Sequence, residues 1–575
     1  MFYAMLSHCL KGSSPIWGLV IVLVLHAGAV VEAQVHHHSQ VGGGDREAAL
    51  QKLGTVDMPI SCAASVQTPF ERGIALLHSF WYEEAAKQFR SVVAADPKCS
   101  MAYWGIAMTE WRPFWDGLPP ERRDAGRIEI DRAVELHPKS DRERRYVAAL
   151  SSYLHADSTE GSEPLRRYVD AMDSLYTAYP EDVEAQAFYG LALASNIGQA
   201  DPLGDARKAI SVLEPGFRAH PDHPGFAHYM IHTCDSPQLA GEGLLAAEKY
   251  AAIAPSSPHA LHMPGHIFAR LGMWREDIDS NLASVRASEY AEKHSLGGVT
   301  HEFHALEFLL YAYLQQGDDA KAKFIIDNLE STASHLRSLP GIENDGMEHF
   351  LTYFEVELPS IYHLEMHEWK AVLAIREPKD AIPSARYFRS WSQAIAAGHL
   401  RDAATADAAV ALASRWADET EKEQSPIGLE IAVSQATIKA WQSFAHRKDE
   451  QALEEIRVAA DIQDRVGQAE VDIPAREMFA DMLLAENRPT EALVQYRVAL
   501  RLSPNRFDAL YNAGQAAEAA GKPEDAAAFY RQLLKVTNGG ANTLRPEVRY
   551  SRSFLDHLAV HSRLLYGHDL STEAP

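Results

Sequence analysis

The sequence predicts an all-α chain, a right-handed solenoid of stacked helical hairpins. Three observations lead there. Gly73, Ala85 and Pro97 follow one another at intervals of 12 and 12, and Ala480, Ala492 and Pro504 repeat that spacing. Gly514 and Ala526 stand 34 residues beyond Ala480 and Ala492. In the centre the same 34-residue period relates Pro221 to Pro255, Pro224 to Pro258, His228 to His262 and His232 to His266. In such an array each hairpin buries its face only against its neighbours. One continuous body can then grow well past the ~150 residues at which chains ordinarily divide.

Taken in order, residues 1–33 read as an export signal with cleavage near Ala33. Lys11 precedes an apolar run from Ile16 to Val31, and Val31, Glu32 and Ala33 form a small-x-small end. The competing reading is an uncleaved anchor, but Gly18, His26 and Gly28 interrupt the run and make it a poor permanent span. No other stretch approaches the ~18 unbroken apolar residues of a transmembrane helix. The mature chain is therefore expected to be periplasmic or secreted, with no stable membrane span. Residues 34–60 read as a flexible polar linker that includes His36, His37 and His38. Cys9 leaves with the signal, Cys62 and Cys99 bracket the first hairpin and are placed for a disulfide, and Cys234 is left as a free thiol. Residues 61–215 hold the N-terminal hairpins, 216–335 a histidine-rich centre, 336–465 degenerate helical pairs, 466–540 a C-terminal pair, and 541–575 a capping helix and tail.

In the best-marked hairpins a small residue lets two antiparallel helices approach closely. An alanine marks the matching contact on the second helix, and a proline ends it. Segments 73–85 and 519–527 also contain the turn between helices, with Gly521 in the latter. These stretches resemble tetratricopeptide repeats over 66–135 and 470–536, and the helix pairs between follow the same plan less closely. The resemblance implies a tetratricopeptide-type helical-hairpin solenoid whose first helices line a concave groove, with a protein or peptide as the partner held there. The array from Phe70 through Met108, together with the histidine block, also resembles exported bacterial proteins of this repeat class. That likeness implies architecture and not an activity.

Charge narrows the partners. The chain carries 54 Lys and Arg against 79 Asp and Glu, a formal charge of −25. No basic surplus exists to neutralise phosphates, which excludes a nucleic-acid binder driven by counterion release and argues against docking on anionic lipid.

The chemistry concentrates in the centre. On a helix starting near Gly225, Ala227, Met230, Ile231 and Cys234 make the inward apolar stripe, and His228, His232 and Asp235 lie on the stripe beside it. The helix 34 residues on places Leu261, Pro264, Gly265 and Phe268 inward and His259, His262 and His266 on the other stripe. His301, His304 and Glu307 supply a third wall. Adjacent first helices pack about 10 Å apart, so imidazoles from both can converge on the groove. The set His228, His232, His259, His262, His266, His301, His304 and Glu307 suits one transition metal, zinc, copper or iron. No HExxH motif is present. Pro264, between His262 and His266, should kink its helix.

Plainer readings compete. Histidines in a groove could hydrogen-bond a ligand carboxylate or each other, and Asp235 and Arg270, placed with the groove's ligand contacts, could equally form a structural ion pair. Trp104 and Trp111, seven residues apart, could wall a ligand site with His78 as a polar handle, or fill the bend between helices. Two functions follow. One is a metal-containing scaffold that holds a protein or peptide. The other is a metal-dependent hydrolase or oxidoreductase in which Glu307 or Asp235 acts as base.

Overall fold

The computed structural model describes residues 52–566, apart from 115–117, 157–160, 199, 341, 343–349, 423–430 and 468–470. The signal predicted for 1–33, most of the linker and the end of the tail lie outside the described residues. The regular structure that is described is helical, with no strand among its elements. Helices alternate in antiparallel pairs: α1 (Gln67–His78) with α2 (Tyr82–Ala95), α3 (Ser100–Glu110) with α4 (Pro120–Glu135), α5 (Asp141–Leu154) with α6 (Glu163–Ala178), α7 (Val183–Ser195) with α8 (Pro202–Ala219), and α9 (Pro224–Cys234) with α10 (Ala240–Ile253). The next first helix is broken into α11 (Pro258–His262) and α12 (Pro264–Arg270), and pairs with α13 (Trp274–Lys293). Then follow α14 (His301–Gln316) with α15 (Asp319–Arg337), α16 (Leu351–Glu365) with α17 (Trp369–Ala374), α18 (Pro383–His399) with α19 (Ala403–Lys422), and α20 (Ile431–Ala445) with α21 (Asp449–Val466). The last pairs are α22 (Ala475–Ala485) with α23 (Pro489–Leu502) and α24 (Phe507–Ala519) with α25 (Pro523–Val536), followed by the single helix α26 (Pro546–Tyr566).

The recurring residues do what their spacing implies. A Cβ on Gly73 would stand 2.5 Å from the Phe89 ring, so only glycine lets α1 and α2 approach this closely. Ala85, Ala492 and Ala526 are fully buried. The turn inside several hairpins also repeats. One residue adopts left-handed backbone, as at Gly272, Gly317, Asn487 and Gly521. The next N–H then reaches back five residues: Met273 to the Phe268 carbonyl at 2.8 Å, Asp318 to Tyr313 at 2.8 Å, Arg488 to Leu483 at 2.9 Å and Lys522 to Ala517 at 2.8 Å. The same turn places Phe80 (φ 52°) and His367 (φ 56°) where glycine would be unstrained. Left-handed backbone costs such residues about 1 kcal/mol or more.

Two expectations need correction. Hairpins do not meet only their chain neighbours. Helix α1 packs against α9, and α14 against α24. The Trp81 indole donates to the Gly297 carbonyl at 2.7 Å, the Trp274 indole to Asn505 at 2.9 Å, and the Asn505 amide to Gly272 at 3.0 Å. As the array winds, hairpins distant in sequence come into contact and cover one another's inner faces. Nor is the whole of 34–60 a free linker. Met58 is fully buried, Thr55 donates to the Asp222 carbonyl at 2.9 Å, and Lys52 to that of Ala252 at 2.8 Å. Cys62 and Cys99 are joined in a disulfide, and Cys234 is a buried free thiol. Buried apolar residues fall into two main clusters, Leu53 to Phe268 and Ala269 to Tyr530, and the histidine block lies where they meet.

Candidate metal centre

Helix α9 presents His228 and His232 one turn apart on one face, and α11 brings His259 against them. The Nε2 atoms of His228 and His259 are 3.0 Å apart, and those of His232 and His228 3.1 Å. A second set forms beside the first. His262 and His266 place their Nε2 atoms 2.9 Å apart, and His304 from α14 closes the group. In each set the three ligand nitrogens lie within 4.8 Å of one another. Nitrogens bound to one metal ion at about 2.0–2.1 Å sit roughly 3 Å apart, so the spacing fits the ion.

The far side of each ring strengthens the case. In the second set every imidazole donates Nδ1–H to an oxygen: His262 to Asn281 Oδ1 at 2.6 Å, His266 to Asp235 Oδ2 at 2.9 Å and His304 to Glu307 Oε2 at 2.7 Å. In the first set His228 donates Nδ1–H to the His78 carbonyl at 2.6 Å. A neutral imidazole that donates from Nδ1 carries its lone pair on Nε2, the atom turned toward the other rings. Metal-binding histidines are oriented in this way by their outer partners. Those partners are themselves held. Arg270 Nε donates to Asp235 Oδ1 at 2.9 Å, and Asn281 donates to Asp277 Oδ1 at 2.6 Å. Gly265 leaves room for this, since a Cβ there would lie 2.7 Å from both the Asn281 amide nitrogen and Asp277 Oδ1.

Burial keeps the rings neutral. Desolvation, reinforced by neighbouring imidazoles, holds His232, His259 and His262 well below the ordinary histidine range. His228 is lowered to about 3 by burial, against the hydrogen bond to His78. Aromatic side chains roof the first set. The Phe80 ring lies 4.3 Å from that of His228, Phe114 stacks on His232 at 4.3 Å, and Tyr250 stacks on His228 at 5.1 Å. Phe308 lies 4.9 Å from His262 and 4.7 Å from His266. Only His232 and His304 are half-buried. The histidines therefore stand in a packed interior and not on an open groove, because the winding that brings α1 onto α9 lays Phe80 over them.

Several predicted residues take other places. Glu307 is not a ligand of the expected set, since its carboxylate is turned to His304 Nδ1 and orients that ring. His301 lies outside both groups, its ring 5.0 Å from that of His259. One site becomes two. Asp235 and Arg270 do form an ion pair, and Asp235 also orients His266. Trp104 packs against Tyr146 and Phe188, and Trp111 against Tyr153 and Tyr168, so both fill the core and wall no ligand site. His78 is fully buried and is no groove handle. It donates from Nε2 to Glu184 at 2.6 Å and accepts from the Tyr229 hydroxyl at Nδ1 at 2.7 Å.

Glu184 was not legible in the sequence. It looks like an ordinary first-turn acid of α7, yet it is fully buried and accepts from His78 and, at 2.9 Å, from His223 Nε2. Burial alone would raise its carboxyl, but His223 and His78 outweigh that and hold it well below the carboxylate range. Both oxygens face imidazole donors, so His78, Glu184 and His223 form a brace behind His228 and not a third metal set.

Residues 507–538, which span α24 and α25, match the tetratricopeptide repeat family. The chain carries a tetratricopeptide repeat there. Such repeats in general build surfaces that receive other proteins. Solved structures similar to it include the P58(IPK) TPR domain, at 12% identity over 87% of this chain and 99% of that one with a TM-score of 0.20. Another is the human IFIT1 dimer with m7Gppp-AAAA, at 12% identity over 76% of this chain and 90% of that one with a TM-score of 0.34. No curated protein sequence matches it.

Proposed function

We propose that this tetratricopeptide scaffold binds transition-metal ions, zinc, copper or iron, in two adjacent tri-histidine sites. The second set carries the proposal, because three imidazoles there pair Nδ1 with an outer oxygen and turn Nε2 inward. Carboxylates stand behind the rings to balance a buried cation. Asp235 and Glu307 are one residue removed from the second site, and Glu184 lies behind the first through His78. The Cys62–Cys99 disulfide supports an oxidising compartment, as export would provide.

The test is metal content by mass spectrometry on the full chain, after equilibration with each ion in turn. The expected result is about two ions per chain. His228→Ala/His259→Ala should remove one and His262→Ala/His304→Ala the other, at unchanged helicity. A chain that stays free of metal with all three ions sinks the reading. Loss of both ions in either double variant replaces two sites with one shared site.

A further inference from the structure

A cavity that none of the tri-histidine residues lines is walled by side chains of α16, α17, α18, α20, α22, α23 and α24. It has a volume of about 350 Å³, the size of a small-molecule site. One wall is aromatic. The His399 ring stacks on Trp369 at 3.9 Å and 4° and leans on Trp441 at 4.5 Å. The other wall is acidic, with Glu477, Asp481 and Asp508.

The charges on that wall do not balance. Arg506, fully buried, is divided between Glu477 at 2.6 Å and Glu365 at 2.8 Å. His367, held by its turn in left-handed backbone, pairs with Asp508 at 3.1 Å, and this carboxylate raises it to about 9. Arg545, which also acts on Asp508, is taken up by Asp319 at 2.9 Å, so Glu365, Glu477, Asp481 and Asp508 are left to share Arg506 and His367. The surplus sits at Asp481, whose hydrogen-bond donors are both neutral, the Tyr496 hydroxyl at 2.5 Å and the Asn512 amide at 3.1 Å. Burial raises its carboxyl to about 6, the cost of an unmatched charge in a poorly solvated place. A second unmatched oxygen lies behind the His367–Asp508 pair. Glu365 is 2% exposed, its Oε2 has no hydrogen-bond partner among the described residues, and it lines the adjoining cavity with His367 and Asp508.

We infer that this cavity binds a small organic amine, its ammonium group on Asp481 and Asp508 and its apolar body along Trp369, His399 and Trp441. An ammonium group supplies the missing positive charge and the hydrogen-bond donors, and aromatic faces accept a cation or its hydrocarbon body equally well. A bare divalent ion would satisfy the carboxylates and leave the aromatic wall without a role. The inference does not depend on the metal sites.

The test is calorimetric titration of the full chain near neutral pH with phenethylamine, 2-phenylethanol and phenylacetate, which share one body and differ in charge. Phenethylamine should bind with saturation, the alcohol about tenfold or more weaker, and the carboxylate not at all. Asp481→Asn, which keeps an oxygen for Tyr496, should weaken phenethylamine about tenfold while metal content stays as in the parent. If that variant loses helicity, Trp369→Leu takes its place, with the same weakening expected. The inference is overturned by no binding of phenethylamine at about 10 mM, by equal binding of the alcohol, or by a correctly folded variant that binds as the parent does.

Discussion

The histidine block and the C-terminal cavity are built on the same hairpin turn, yet they bury opposite chemistry. At the first, the left-handed residue is Phe80, an apolar roof over neutral bases whose outer partners are oxygens, the His78 carbonyl behind His228 and Asp235 behind His266. At the second it is His367, a cation set among carboxylates that outnumber their partners. The backbone is one and the same device in both. The difference lies in which side chains the inner face carries, and each proposed ligand brings the same thing, positive charge.

That comparison is open to breaking, beginning where the effect is largest. Arg506 holds Glu365 and Glu477 and, across the winding, the Tyr311 hydroxyl. Removing it in Arg506→Met leaves two buried carboxylates facing each other and should cost about 3–5 kcal/mol in chemical denaturation. Restoring balance with Glu477→Gln in the same chain should recover part of the loss. A cost near zero would show that the C-terminal hairpins do not depend on this ion pair.

Metal comes next. An ion that binds only the folded chain stabilises it by about 4 kcal/mol at a thousandfold excess over its Kd. A chelator should therefore lower the melting temperature, and His262→Ala/His304→Ala should remove the part of that response owed to the second site. Equal melting with and without chelator would count against both sites.

The histidine block and the Asp472 and Asp481 carboxylates should also answer pH in opposite directions once metal is removed. Burial lowers His228 to about 3, so between roughly pH 6.5 and 3 the unfolded chain binds more protons there than the folded one, and the histidine block loses stability as pH falls. Burial raises Asp472 to about 7 and Asp481 to about 6. Between roughly pH 4 and those values the folded chain holds the extra proton, so these carboxylates cost stability as pH rises. Hydrogen exchange should show α9 and α11 opening toward acid, and Asp481→Asn should flatten the rise with pH in α22. Parallel pH profiles in the two regions would erase the distinction drawn between them.

The smallest effect on metal content is expected at Phe80. Phe80→Gly relieves about 1 kcal/mol of left-handed strain but deletes a buried ring packed on His228, so stability should fall by about 2–4 kcal/mol in chemical denaturation. Metal should leave the first site faster, measured by transfer to a chelator, and the second site should be untouched. Slower release would show that the ring does not shield the ions.

Much of the fold could be read directly, since the period of 34 and the small–Ala–Pro spacing are local signals, each hairpin repeating them within reach of its own residues. Helical periodicity likewise puts His228 and His232, and His262 and His266, on shared faces, because 3.6 residues per turn is a property of the backbone alone. The division into two sites was not readable. It depends on where α14 and α1 arrive, and the partners behind the rings include residues with no signature of their own, such as Asn281 of α13 and Glu184 of α7.

The residue order by itself therefore determined the hairpins, their turns and the histidine-bearing faces, all set by interactions a few positions apart. Tertiary structure decided which imidazoles share a point, that Glu307 orients one of them and that Phe80 covers them. It also decided that Arg506 meets Tyr311, 195 residues away. The physical reason is range. Hydrogen bonds and charges act over a few ångströms, and only the winding of the array brings such distant residues within that distance.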